Sequence, residues 1–283
     1  MPIFRIVSST IVAAASLLFV LSSSTVADVF DANGANPAAI QAAVDSFRAA
    51  LGANNGVGGT FPAGRREINW DGVPDLLSAP NNLPANFFNA NSPRGVVFST
   101  PGTGFQVSAK AASGTPVRFG NLNATYPADH QTFSAERLFT ALDSNTVQVD
   151  FFLPGTNSPA TVAGFGAVFT DVEVAGASRY TVFYGDGTNG GQFAIPVGPT
   201  GGLSFLGLTE PLRYSRIIIQ SGTALPGTTE GLTNNLDVTF MDDFIYGEPL
   251  AVPEPGTIVL VGSACGMLMS FRRLSPRRKL MPL

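Results

Sequence analysis

A single histidine stands in the 283-residue sequence, His130 within Asp129-His130-Gln131, and a single cysteine, Cys265, lies in an apolar run near the C-terminus. One imidazole supports neither a multi-histidine metal centre nor a two-histidine proton relay. A Ser-His-Asp triad built on His130 would need a serine on a nucleophile elbow, and no Gly-x-Ser-x-Gly occurs, so His130 reads as a solvated loop residue. Cys265 reads as a small packing residue, which leaves the preceding chain without disulfides, cysteine nucleophiles or zinc-thiolate sites. The glycine-rich stretch around Asp186, Thr188 and Asn189 lacks the lysine and following helix of a phosphate loop and suits a hairpin turn. Paired carboxylates are the one enzymatic option left, because glycoside hydrolysis needs only two of them about 5–9.5 Å apart. Asp171 and Glu173, two apart on an expected strand, share a face. A solvated strand end accounts for them more simply, and the chain reads as non-enzymatic.

Binding chemistry has better candidates. Hard cations take oxygen ligands. Asp242 and Asp243 near the end of the folded region, with Asp31 and Asn33 near its start, supply such oxygens at two places that often meet in a sandwich. Structural calcium is the cofactor this pattern suits; without it, one carboxylate of the pair would accept backbone hydrogen bonds. Sugars call for a flat apolar ring beside amides and carboxylates. Trp70, the only tryptophan, stands between Asn69 and Asp71, beside Arg65 and Arg66; Tyr180 and Tyr184 share a strand face. The alternative for Trp70 is a core anchor.

The elements that must position these residues are mostly strands. Charged residues make up only 13% of the chain, below the roughly 25% of ordinary domains, while 31 Gly, 21 Pro and 22 Phe imply many turns between short buried strands. One helix is expected over residues 36–51, capped by Asn36, with Pro37 at its first turn and Ile40, Val44, Phe47 and Leu51 on one face at the edge of the β core. Residues 71–94, rich in Pro and Asn, read as a surface loop or lid. Residues 95–100 and 104–109 are separated by Pro101-Gly102-Thr103 and read as a hairpin or corner. Residues 137–142 and 146–152 form the next pair. A long apolar strand over 161–174, with a bulge at Gly164 or Gly166, precedes strands at 179–184, 191–197, 203–208, 214–221 and 237–247. The fold class is all-β, an antiparallel sandwich with one N-terminal helix.

Both ends of the sequence read as addresses. Arg5, an apolar run over 6–21 and the small residues Thr25 and Ala27 form a secretory signal peptide over 1–27 with cleavage by signal peptidase after Ala27. Pro253-Glu254-Pro255-Gly256 precedes an apolar run over 257–271 and then Arg272 and Arg273. Fifteen residues of helix reach about 22 Å, short of the roughly 30 Å hydrocarbon core, which suits a transient span with its arginines on the cytoplasmic side. Residues 28–252 carry 19 acidic and 10 basic side chains, a net charge of −9 that argues against nucleic acid or anionic lipid as a partner.

These C-terminal features resemble the PEP-CTERM sorting domain, whose members are processed by membrane enzymes called exosortases in bacteria that typically make exopolysaccharide. The match covers residues 252–274; the chain departs from the usual pattern by continuing through a basic tail over 275–283. The resemblance implies exosortase as a processing partner, cleavage near Pro253-Glu254-Pro255, a single-pass helix before processing, and a cell-surface or extracellular destination. Residues 135–248 resemble, in layout, a jelly-roll module frequent in such proteins and similar to carbohydrate-binding modules. That likeness implies a jelly-roll strand order and, through the Asp-Asp pair of calcium-binding jelly rolls, a role for Asp242. Residues 28–251 are thus expected to be a non-enzymatic ectodomain with a structural or adhesive role in the envelope or the exopolysaccharide matrix, with exopolysaccharide as a candidate partner; the alternatives are a carbohydrate-binding module and a glycan-acting enzyme using paired carboxylates.

Overall fold

The computed structural model describes residues 27–252. The signal segment before Ala27, the sorting residues Pro253, Glu254, Pro255, Gly256, Arg272 and Arg273, and the basic tail lie outside the described residues. No described helix is long and apolar enough to cross a membrane. Along the chain run β1 (Asp28–Gly34), α1 (Pro37–Leu51), β2 (Arg65–Ile68), α2 (Phe87–Ala90), β3 (Val96–Ser99), β4 (Gly104–Val107), α3 (Tyr126–Asp129), β5 (Phe139–Leu142) and β6 (Thr146–Phe151). After them come β7 (Ala160–Thr170), β8 (Arg179–Tyr184), β9 (Asn189–Ala194), β10 (Leu203–Gln220), β11 (Phe240–Gly247) and β12 (Leu250–Ala251).

The strands form two antiparallel layers joined by β10. Its first half pairs with β1 and β7, and β7 continues to β11, which pairs with β2 and β5; β4 closes that layer beside β5. Its second half pairs with β6 and β8, flanked by β3 and β9. The sequence reading placed two strands here, over 203–208 and 214–221. The ladder instead runs through a bend at Pro211 and Leu212, both exposed, with Arg213 at φ 55°. Between the layers lies an aromatic core in which Phe165 of β7 meets Tyr180 of β8 and Phe151 of β6 meets Tyr246 of β11.

Helix α1 forms as its cap and spacing predict: the Asn36 side chain accepts from the Ala39 N–H at 3.3 Å, and Ile40, Val44, Phe47 and Leu51 are buried. It covers the outer face of the first layer rather than its edge, packing on Val168, Leu203, Phe205 and Ile245. Strand β7 is therefore apolar on both faces, which is why its sequence does not alternate. The expected bulge at Gly164 or Gly166 is absent from the β7–β10 register. Those positions serve close approach: a Cβ at Gly166 would sit 2.8 Å from the Phe47 ring, and one at Gly207 opposite it 2.7 Å. The bulge is in the partner strand, where β11 slips register between Met241 and Phe244.

Two further expectations are corrected. Residues 137–142 and 146–152 do not pair with each other: β3 pairs with β6 and β4 with β5, so the turn between them is a corner at which the chain changes layer, and Pro101-Gly102-Thr103 is the corner of its two expected readings. Residues 71–94 are no lid. Val73, Leu83, Phe87 and Phe88 are buried in the core, and the Ala79 and Leu83 N–H groups donate to β4 and the residue pair it carries, at Val107 and Phe105. Strand β1 was not expected from its mixed sequence; its register against β10 leaves alternate residues facing solvent.

Candidate functional site

The Trp70 ring is 1% exposed, stacked on Phe139 at 4.1 Å and 3°, with Phe88 and Phe244 against its edges. Its Nε1–H donates to the Asp242 carbonyl at 3.1 Å. No ring face is left for a pyranose, so Trp70 is a core anchor. Asn69 is exposed beside it, while the Asp71 carboxylate accepts from the Glu136 N–H at 2.7 Å and the Arg137 N–H at 3.3 Å. The three do not make a sugar site. Tyr180 is likewise buried, donating to the Leu206 carbonyl.

The expected calcium set is not assembled. Asp31 lies opposite Leu206 of β10, which lies opposite Ala167 of β7, which lies opposite Phe244 of β11. Three inter-strand steps put Asp31 and Asn33 about 14 Å from the β11 pair. The bulge brings Asp242 and Asp243 together instead around Ser134. Asp242 accepts from the Phe133 N–H at 2.6 Å, and Asp243 from the Ser134 hydroxyl at 2.6 Å and the Arg48 guanidinium at 3.2 Å. The oxygens thus have protein partners, the backbone-acceptor alternative to calcium. Burial first, and then the Asp243 charge, push the Asp242 carboxyl well above the usual range; burial also raises Asp243.

A raised folded-state pKa binds a proton that the unfolded chain has released, so stability falls as pH rises from the ordinary value of 3.8 toward the folded one. Asp242→Asn keeps an acceptor for Phe133 and removes this titration. The variant is expected to flatten the decline in melting temperature above pH 4; an unchanged slope would show that Asp242 is not its source.

The outer face of the second layer, unlike that of the first, carries no helix among the described residues. There β6, β10 and β8 present Gln148, Asp150, Arg216, Ile218, Thr181 and Phe183, all partly exposed. Asp150, Arg216 and Phe183 are in register across the three strands. The Arg216 guanidinium lies over the Phe183 ring at 4.2 Å with its Nε–H unpartnered, and Asp150 accepts from Gln148 at 2.7 Å. The face runs into a groove of about 900 Å³ lined by Asp150, Phe152, Pro159, Asp186, Ser215 and Arg216 among others. The Asp186 loop is the expected hairpin turn, its carboxylate accepting from the Thr188 hydroxyl and N–H. Those bonds, the hydroxyl first, hold the Asp186 pKa below the usual range. The alternation of Gln148 and Asp150 was visible in the sequence. That no described helix covers their face was not, because it depends on which layer α1 covers.

Asp171 and Glu173 do not share a strand face: β7 ends at Thr170 and Asp171 has φ 64°. His130 is not solvated; it is 2% exposed.

A scan against protein-family models finds no match, and a search of curated proteins finds none. Among solved structures, two single-residue variants of CBM29-2, a family 29 carbohydrate-binding module studied for ligand recognition, match 39% of this chain at 10% identity and a TM-score of 0.23. They are covered over 68% and 69% of their own length. Likeness of this degree assigns no ligand to the chain.

Proposed function

We propose that this chain is an exported, non-enzymatic β-sandwich protein that binds polysaccharide at the cell surface or in the extracellular matrix. Export and exosortase sorting rest on the two terminal segments of the sequence, and a mature protein that kept its tail would contradict the sorting step. The groove beside Asp150 and Arg216 carries the binding assignment. It joins the requirements of sugar recognition: carboxylates and a guanidinium for hydroxyls, a serine, and the partly buried Phe152 for the apolar face of a ring. Asp186, held on the acidic side of its ordinary value, lacks the raised pKa of a glycosidase acid.

Affinity electrophoresis against a polysaccharide panel tests this. Arg216→Ala and Asp150→Ala are each expected to weaken retention about tenfold or more, the loss of a charged hydrogen bond. Equal mobility of wild type and variants in every gel would defeat the assignment and favour a purely structural role. Release of reducing sugar would favour an enzyme.

A further inference from the structure

At the end of β7, opposite the turn that follows α3, one oxygen-rich cluster has no part in the groove. His130, Asp171 and Glu230 each bring one ligating atom into a group whose members lie within 4.8 Å of one another. His130 and Asp171 are 2% and 1% exposed, yet neither ring nitrogen of His130 nor Oδ2 of Asp171 makes a hydrogen bond: Nδ1 and Oδ2 face each other only as an ion pair at 3.5 Å, and Nε2 has no hydrogen-bond partner at all. Unpaired buried polar groups are costly and call for an occupant.

The surroundings hold these atoms in place. The His130 ring is fixed between Tyr126, at 5.1 Å, and Phe240, edge-on at 4.5 Å. Asp171 uses its other oxygen to accept from the Gly201 N–H at 2.6 Å, and Glu230 accepts from the Val238 N–H at 3.0 Å. Each carboxylate is thus oriented by backbone while an oxygen remains available. The strongest charges on Glu230 are other carboxylates, Asp171 and Glu173; the same two act on Asp237, whose Oδ1 is also unpartnered.

A proton shared by Asp171 and Glu230, with Nδ1 of His130 facing Asp171, would satisfy the carboxylates and still leave Nε2 of His130 unpaired. A cation answers all three residues at once. His130 Nδ1 and Asp171 Oδ2 are 3.5 Å apart, close to the roughly 3.4 Å edge of a tetrahedron with 2.1 Å metal–ligand bonds. Mixed imidazole and carboxylate ligation suits zinc-type ions rather than calcium or magnesium.

We infer that His130, Asp171 and Glu230 bind one divalent transition-metal cation of the zinc type, which fastens the long connection between β10 and β11 to the end of β7. The site is structural, and independent of the polysaccharide groove.

Because His130 is the only histidine, its ring resonances are a single-site reporter. The full chain, without a histidine tag and stripped by chelation, is titrated with Zn²⁺ and Co²⁺. Expected results are one equivalent bound, a displaced His130 ring signal, and a melting temperature raised by roughly 5–10 °C in excess Zn²⁺. Glu230→Gln, which keeps an acceptor for Val238, is expected to lose at least tenfold in affinity, and His130→Gln to lose binding. Should His130→Gln fail to fold, Glu230→Gln and the wild-type ring signals decide. Unmoved His130 resonances at saturating Zn²⁺, wild-type affinity in Glu230→Gln, or stabilisation by Ca²⁺ but not Zn²⁺ would each overturn the assignment.

Discussion

Arg66→Met is expected to lower the unfolding free energy by about 3–5 kcal/mol, a fall of roughly 6–20 °C in melting temperature for a domain of this size. Arg66 on β2 is fully buried, and all five of its N–H donors are used. Two go to Glu248, both at 2.6 Å; the others reach the carbonyls of Gly56, Gly58 and Gly59 at 2.8–3.0 Å. The glycine-rich connection after α1 is therefore wrapped around a guanidinium. Methionine fills much of the volume but strands the Glu248 carboxylate, 1% exposed, without its cation. The double variant Arg66→Met with Glu248→Leu should recover much of the loss, since it is the unpaired charge that costs most. Denaturant unfolding measures both, and a single variant that melts within a degree of wild type would refute the account. Lysine is not a substitute, because one ammonium cannot span the carboxylate and three carbonyls.

Trp70→Ala should cost a similar amount, about 3–5 kcal/mol, by opening a cavity among Phe88, Phe98, Phe139 and Phe244. It also leaves the Asp242 carbonyl without its indole donor, and removes the ring that holds residue 70 at φ 65°, a left-handed conformation that bulky residues seldom adopt. Retention on polysaccharide, measured below the lowered melting temperature, should be unchanged. Weakened retention in a folded Trp70→Ala protein would return the tryptophan to the binding surface.

These two residues mark where the sequence was legible and where it was not. Helix α1 could be read because its cap, its proline and its apolar spacing are all local. The strands over 146–151 and 179–184 were readable because they alternate. Pairing is a different matter: β3 and β4 follow each other closely yet belong to different layers, and no local pattern separates a tight hairpin from a corner. The buried charges were hidden for the same reason. Arg66 meets Glu248 across 182 residues of sequence, and His130 meets Asp171 only because β7 ends beside the turn after α3. Beside a run of glycines, Arg65-Arg66 looks like solvated charge; only the β2 register turns the second arginine inward.

Under the proposed polysaccharide-binding function, strand β10 has a mechanical consequence. A polysaccharide bound at Arg216 would pull on the second half of β10, and tension would pass along one covalent backbone into its first half. There seven residues face β1 and seven face β7 in antiparallel register. Pulled lengthwise, those hydrogen bonds are loaded in shear and must yield together instead of one after another. The bend at Pro211 and Leu212 is where that strand passes from one layer into the other, so a load applied in the second layer would reach the first through it.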